Sequence, residues 1–307
     1  MAGRWAARFG MGRCMAAGID VGAGEVRVAV LSRHGRRAGV RVEGLETEPV
    51  AQPDGIDELR WAAVGRALAA AAARLSARGV RCDARGVMAL PDDGMRTAML
   101  DLAGRDDIAE AARQAAERVS GLAPESLAFD WRHDAGSRPG EIAIAVAPQA
   151  ELQRRVDAAA LAGIDLTAID GESIAALRAL RYAALHELDA HEPYFAIWFG
   201  DAGVRGWWVD GQAAVQDFAF PDREHAALPD ALRTFARRPA SCAFVAGDAS
   251  CLARFGVSLA DIGDVLGAIT LPFECAHWAG DAAAARGDLY SPAFAVAFGL
   301  ALRGVWE

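Results

Sequence analysis

Two segments of this chain, AGIDVGAGEVRVAVL from Ala17 to Leu31 and FAIWFGDAGVRGWWV from Phe195 to Val209, align residue for residue without a gap. Ile19 meets Ile197, Gly22 meets Gly200, Val26 meets Val204 and Arg27 meets Arg205. Each segment is an apolar run, a glycine-bearing turn and a second apolar-rich run, which is the pattern of a β-hairpin. A hairpin repeated once at this distance predicts a duplicated architecture of two lobes, each offering its hairpin turn to a shared cleft. The 307 residues, 53% of them hydrophobic, supply enough material for two cores.

The flanking pattern agrees with two similar halves. After the first hairpin come a third strand (Gly39 to Leu45), a long Ala/Leu helix (Ile56 to Ala77) and a short apolar strand (Val87 to Leu90) closed by Pro91. Strand, strand, strand, helix, strand is the order of one RNase H-like half. A block that does not fit follows: strand Thr97 to Leu102, helix Asp107 to Val119, strands Leu127 to Trp131 and Glu141 to Val146, and helix Gln149 to Leu161. It reads as an inserted α+β subdomain. Leu166 to Ile169 and the helix Glu172 to Leu185 return to the first lobe. The second hairpin is then followed by a third strand (Ala214 to Phe220), a helix (His225 to Ala236), a strand (Ala243 to Val245), a Gly-containing turn and two further helices. The chain closes with an amphipathic helix, Pro292 to Arg303. The expected division is a basic leader (1–15), a first lobe (16–91 with 164–186 and 290–307), the insertion (92–163) and a second lobe (187–289).

Composition excludes several classes. A net charge of −9 argues against nucleic acid, because phosphate-backbone binding rests on clustered cations. Five scattered cysteines, none in a CxxC spacing, indicate neither a disulfide framework nor a zinc site, and the six histidines do not fall at metal-ligand spacings. No apolar stretch approaches the roughly 20 residues of a membrane span. The leader carries Arg4, Arg8 and Arg13 with Trp5 and Phe9, which suits either a frayed tail or a short membrane-surface helix. Neither a Gly-x-Ser-x-Gly elbow nor a phosphate-binding P-loop motif occurs.

Three pieces together resemble the PilM-type proteins of type IV pilus assembly, relatives of the cell-division protein FtsA. They are GIDVGAGEVRVAVL at the start, IAIAVAPQAELQRRVDAAALAGIDLTAIDGESIAALRAL from Ile142 to Leu180, and SPAFAVAFGLALRG from Ser291 to Gly304. The resemblance implies an α/β, two-lobed actin-like ATPase (RNase H-like) fold with an inserted α+β, SHS2-like subdomain. It further implies a cytoplasmic adaptor, peripheral at the inner membrane, that takes the short N-terminal peptide of PilN in a groove formed by the insertion and the adjacent first lobe. Pro91 to Leu161 is then the region of that groove. Indirect links to PilO and the pilus motor, and a possible homo-oligomer, are implied with it. The alternative within the same superfamily is an active ATPase or small-molecule kinase.

The superfamily holds Mg-ATP with two Asp-x-Gly turns, whose backbone N–H groups cradle phosphate while the acids order the hydrated metal. Asp20, Gly22, Ala23 and Gly24 fit the first turn. In the second, Gly200 is kept but Trp198 stands where Asp20 has its counterpart, and Asp201 lies three residues on, where its side chain is expected to point elsewhere. The adenosine-side turn reads Val245-Ala246-Gly247-Asp248, with an acid where a polyphosphate would disfavour one. These residues outline a vestigial nucleotide cleft, with ATP and Mg weakly bound if at all and no catalytic residue assigned. Glu172 opens a helix where relatives carry an acid that positions water, and the macrodipole alone accounts for an acid there. Trp207 and Trp208 are neighbours on a strand, face opposite sides, and place at least one indole at a surface or in the cleft. Asp101, Asp106, Asp107 and Glu110 are explained by capping of the insertion's first helix, with a basic peptide as their other use.

Overall fold

The computed structural model describes residues 13–35, 39–51, 57–81, 85–101, 107–133, 141–211, 213–280 and 287–306. Most of the expected leader (residues 1–12), Cys82 and Asp106 lie outside them.

Strands β1 (Arg13–Val21), β2 (Glu25–His34) and β3 (Val40–Pro49) form an antiparallel meander; helix α1 (Asp57–Ala77) then leads to β4 (Arg85–Leu90), which runs parallel to β1. The inserted block follows as β5 (Arg96–Asp101), α2 (Ile108–Ser120), β6 (Leu127–Arg132), β7 (Glu141–Pro148) and α3 (Gln149–Leu161). Its strands make a separate three-stranded antiparallel sheet in the order β5-β7-β6. Asp107 caps α2 by accepting from the Glu110 N–H, and Gly121 closes it in the left-handed region. The alanine face of α2 (Ala112, Ala115, Ala116) covers Ile142, Ile144 and Val146, so one face of the small sheet is dry and the other stays open. Helix α3 lies against α1, with Ala158 and Ala159 sharing a core with Ala63, Val64 and Ala67.

β8 (Leu166–Gly171) then joins the first sheet beside β4, giving β3-β2-β1-β4-β8, and α4 (Glu172–Glu187) leaves it. The second lobe repeats this plan. Strands β9 (Tyr194–Gly200), β10 (Gly203–Asp210) and β11 (Ala213–Pro221), helix α5 (Leu228–Phe235), β12 (Cys242–Gly247), helices α6 (Ala249–Arg254) and α7 (Leu259–Leu266), and β13 (Ile269–Pro272) build a sheet in the order β11-β10-β9-β12-β13. In both sheets the first three strands are antiparallel and the last two parallel, which is the RNase H-like arrangement. The hairpins also share their register: Asp20 sits opposite Arg27 in one, Trp198 opposite Arg205 in the other. The short β13 is an addition to the sequence reading, where four residues (Ile269–Pro272) without alternation gave no strand signal.

The last helix, α8 (Ala295–Trp306), corrects its amphipathic description. All of Ala295 to Leu302, with Gly304 and Val305, is buried. Helix and strand meet without side chains between them: a Cβ on Gly18 would stand 1.8 Å from the Ala297 carbonyl oxygen, and one on Gly299 only 1.9 Å from that of Ala175. α8 is thus wedged between β1 and α4, where an apolar stripe on one face would not suffice. Both tryptophans of β10 are likewise interior. Trp207 joins the core between the lobes, and Trp208 joins the second lobe's outer core with Arg238 stacked 4.6 Å from its ring centre. Neither indole lines a surface, because both faces of this central strand are covered.

Candidate functional site

The two hairpin turns meet at the mouth of the interlobe cleft. Gly22 donates its N–H to the Glu25 carbonyl at 2.9 Å, and the Gly24 carbonyl accepts from Val50 at 2.9 Å, so the first turn is fixed by backbone bonds. A further donor of that turn, the Ala23 N–H, is taken by Asp201 Oδ2 at 2.8 Å from the opposite lobe. This corrects the expectation that Asp201 points elsewhere. Ala23 and Asp201 are 178 positions apart, the same offset that aligns Gly22 with Gly200, so equivalent positions of the two turns face each other across the cleft. A gapless alignment identifies such pairs but not their mutual approach.

Beneath this contact, Arg27 fills the space between the lobes. Its guanidinium lies 3.3 Å from Asp20 Oδ2 and 2.6 Å from Asp248 Oδ2, and it also pairs with Glu25. Asp248 serves twice, since it caps α6 through the Ser250 N–H at 2.8 Å. Gly247 has φ +127° and passes so close to Phe199 that a Cβ would lie 2.3 Å from its carbonyl oxygen, which sets the tight turn that presents Asp248. The duplicate arginine mirrors the first. Arg205 Nε reaches Asp92 Oδ2 at 2.9 Å, and Asp92 stands on the turn that leaves β4 as Asp248 stands on the turn that leaves β12.

Burial governs the electrostatics here. Asp20 is 6% exposed, and desolvation pushes its carboxyl up to about 6 even though Arg27 pulls the other way. Glu172 rises further, to about 8, through burial and the negative fields of Asp20, Asp92 and Asp201; its Oε1 accepts from the Asp92 N–H at 3.3 Å. Glu172 is therefore more than a helix-opening acid favoured by the macrodipole, because it is held close to neutrality inside an acidic cleft.

Groups of the cleft that would meet Mg-ATP are already engaged within the protein. The N–H that would meet a phosphate already holds a carboxylate, the acid that would order a metal already holds a guanidinium, and Trp198 (6% exposed) closes the second turn from beneath, stacked under Gly200. Among the described residues no three His, Cys, Asp or Glu side chains converge as metal ligands. Of the residues proposed from sequence, Asp20, Gly22, Ala23, Asp201 and the Gly247–Asp248 turn are brought together. Gly200 supports the second turn, its carbonyl accepting from Arg254 at 3.2 Å, while Gly24 faces open space. Arg27, Arg205 and Asp92 were missed as site residues. The signal for the arginines was available: they are the one charged pair conserved between the two hairpin copies.

A second opening lies between the uncovered face of the small sheet and the first lobe. Two contiguous cavities of about 420 and about 370 Å³ share Met95, Asp130, Ala145, Ile169 and Arg303. The strand register puts Met99, Ala143 and Arg132 in one row of that face and Thr97, Ala145 and Asp130 in the next, so alanines form the floor between larger flanks. Met99 is 54% exposed and Val156 42%, both apolar. The far wall is β8, an edge strand, with Asp170 held by Arg178 (2.8 Å) and Arg303 (3.3 Å).

No protein-family model and no curated protein matches this sequence. Among solved structures, the PilM-PilN type IV pilus biogenesis complex matches with a TM-score of 0.70 over 94% of this chain and 98% of that one, at 19% identity. This chain has the PilM fold. Weaker likeness extends to a protein with an actin-like ATPase fold and unknown function from Bacteroides thetaiotaomicron (TM-score 0.47, 7% identity, covering 84% of this chain and 90% of that one). EutJ, an ethanolamine utilization protein from Carboxydothermus hydrogenoformans, gives 0.46 at 11% identity over 94% and 89% of the two chains. The PilM fold here carries two openings of different kinds: a cleft bridged by ion pairs between the lobes, which leaves a cavity of about 290 Å³ beside Asp92, Glu172, Trp198 and Arg205, and a groove with apolar and charged walls on the small sheet. Among the described residues, no helix is long and apolar enough to cross a membrane.

Proposed function

We propose that this protein is an adaptor of a type IV pilus assembly machine, which binds the N-terminal cytoplasmic peptide of a PilN-type partner and does not turn over ATP. The groove carries the proposal. An extended segment laid along the alanine floor finds room for bulky apolar side chains between Met99, Val156 and the β8 edge, and polar anchors in Asp130, Arg132 and Arg303. The solved complex that shares the fold is one of PilM with PilN, which supports this choice of partner. The protein then sits in the cytoplasm at the inner membrane through that partner, and reaches PilO and the motor only indirectly. The ion-paired cleft supports the absence of turnover, since phosphoryl transfer depends on metal and positioning that Arg27 and Asp201 displace.

The test is calorimetry with a synthetic N-terminal peptide of the partner, on the wild-type chain and on Ala145→Arg. An arginine side chain planted on the floor, opposite Asp130, fills the groove and is expected to weaken binding by roughly tenfold or more, the scale of overpacking a fitted surface. Wild-type affinity in that variant removes the groove from the interaction. A phosphate-release assay with Mg-ATP is expected to give no turnover, and turnover abolished by Asp20→Ala restores the enzyme reading.

A further inference from the structure

The cleft between the lobes holds charged groups in a pattern that follows the internal duplication. The turn residue Ala23 and its duplicate Asp201 are bonded to each other, N–H to carboxylate, at 2.8 Å. Arg27 reaches from the first hairpin to Asp248 on the second lobe, at 2.6 Å, and its duplicate Arg205 reaches from the second hairpin to Asp92 on the first lobe, at 2.9 Å. Each aspartate is itself anchored by a helix start. Asp248 caps α6, and Asp92 Oδ1 accepts from the Ser173 N–H in the first turn of α4 at 3.3 Å. The acceptors are therefore held in position before the arginines arrive, which lowers the ordering cost of each pair.

We propose that the chain carries its own stand-in for a cleft ligand: Asp201 supplies the anion on the Ala23 N–H, Arg27 supplies the cation beside Asp20, and with the reciprocal Arg205–Asp92 bridge they hold the two lobes closed without any bound nucleotide. The chemistry of the parts fits the roles. A turn with an outward backbone N–H is an anion site, and a carboxylate is an anion that the opposite lobe delivers at no cost in translational freedom. A buried aspartate wants a cation, and a guanidinium with its other nitrogen on Asp248 satisfies it while spanning the gap. The asymmetry at the dyad position explains why only one anion enters. Ala23 is too short to reach across, whereas its duplicate Asp201 is long enough, and two aspartates there would repel.

The proposal is tested on the full chain by amide exchange at Ala23 and by solution scattering. Asp201→Ala is expected to speed Ala23 exchange by about tenfold or more, the scale of one lost charge-assisted hydrogen bond. Asp201→Asn, which keeps the acceptor oxygen, is expected to retain most of the protection. The double variant Arg27→Ala/Arg205→Ala, made on the Asp201→Ala chain so that all three of these contacts between the lobes are removed, and confirmed as folded by circular dichroism, is expected to show a larger radius of gyration than wild type. Wild type itself is expected to scatter identically with and without Mg-ATP. Unchanged Ala23 exchange in Asp201→Ala, or an unchanged radius in the double variant, overturns the latch. A wild-type radius that contracts on adding Mg-ATP overturns it too, because the lobes would then stand open on their own. If the double variant does not fold, Asp201→Ala against Asp201→Asn still decides through exchange alone.

Discussion

Glu172 offers the sharpest test of the cleft's electrostatics. Its carboxyl is raised from 4.5 to about 8 by burial and by the nearby charges of Asp20, Asp92 and Asp201, so the folded chain binds a proton that the unfolded chain releases near 4.5. Stability from this group is fully present below 4.5 and is lost as the pH climbs through 8, at up to about 1.4 kcal/mol per pH unit. Between pH 5 and 9 the loss integrates to about 4 kcal/mol, less whatever the partly exposed cleft relaxes. Glu172→Gln is neutral at every pH and keeps a carbonyl oxygen for the Asp92 N–H. Thermal unfolding of both proteins from pH 5 to pH 9 is therefore expected to give a gap in favour of the variant that widens with pH, to about 6–8 °C at about 2 °C per kcal/mol for a chain of this size. Taking the difference between the two proteins cancels the titrating groups remote from Glu172 and leaves its own proton together with its coupling to Asp20, Asp92 and Asp201. A gap that stays flat over that range refutes the near-neutral carboxyl and with it the tight acidic cleft.

Two further outcomes rest on packing and on the groove wall. Gly299→Ala places a methyl 1.9 Å from the Ala175 carbonyl while Gly18 pins the other side of α8, so urea unfolding is expected to show a loss of about 3 kcal/mol; a change below about 1 kcal/mol would mean that α8 is free to shift. Asp170→Asn removes the carboxylate that Arg178 and Arg303 share, and the urea midpoint is expected to fall by the equivalent of about 2 kcal/mol at low salt and less at high salt.

The two lobes were legible because a hairpin's register is written in its own residues. Alternation across Val26, Val28 and Val30, a glycine turn, and the same spacing repeated at Val204 fix which residues pair within each copy. The end of the chain was less legible. Alanine, leucine and glycine mixed over Ala295–Leu302 read as one apolar stripe, and only the backbone approach at Gly18 and Gly299 shows that every face is covered. The small strand β13 and the interior fates of Trp207 and Trp208 depend on neighbours brought in from distant parts of the chain, which no local pattern encodes.

The cleft was half legible for a related reason. Sequence showed which acid the second turn had lost, at Trp198, but what replaced it depends on contacts between copies rather than within them. In a duplicated fold with an approximate two-fold relation, a residue near the axis meets its own duplicate, so a change in one copy acts on the other. Asp201 now occupies the Ala23 N–H of the first turn, and Arg27 joins Asp20 to Asp248. On the proposed reading, a single carboxylate placed at Trp198 is therefore not expected to give a nucleotide site. The same two hairpins would also have to release Asp201 and Arg27, the groups that now join the lobes.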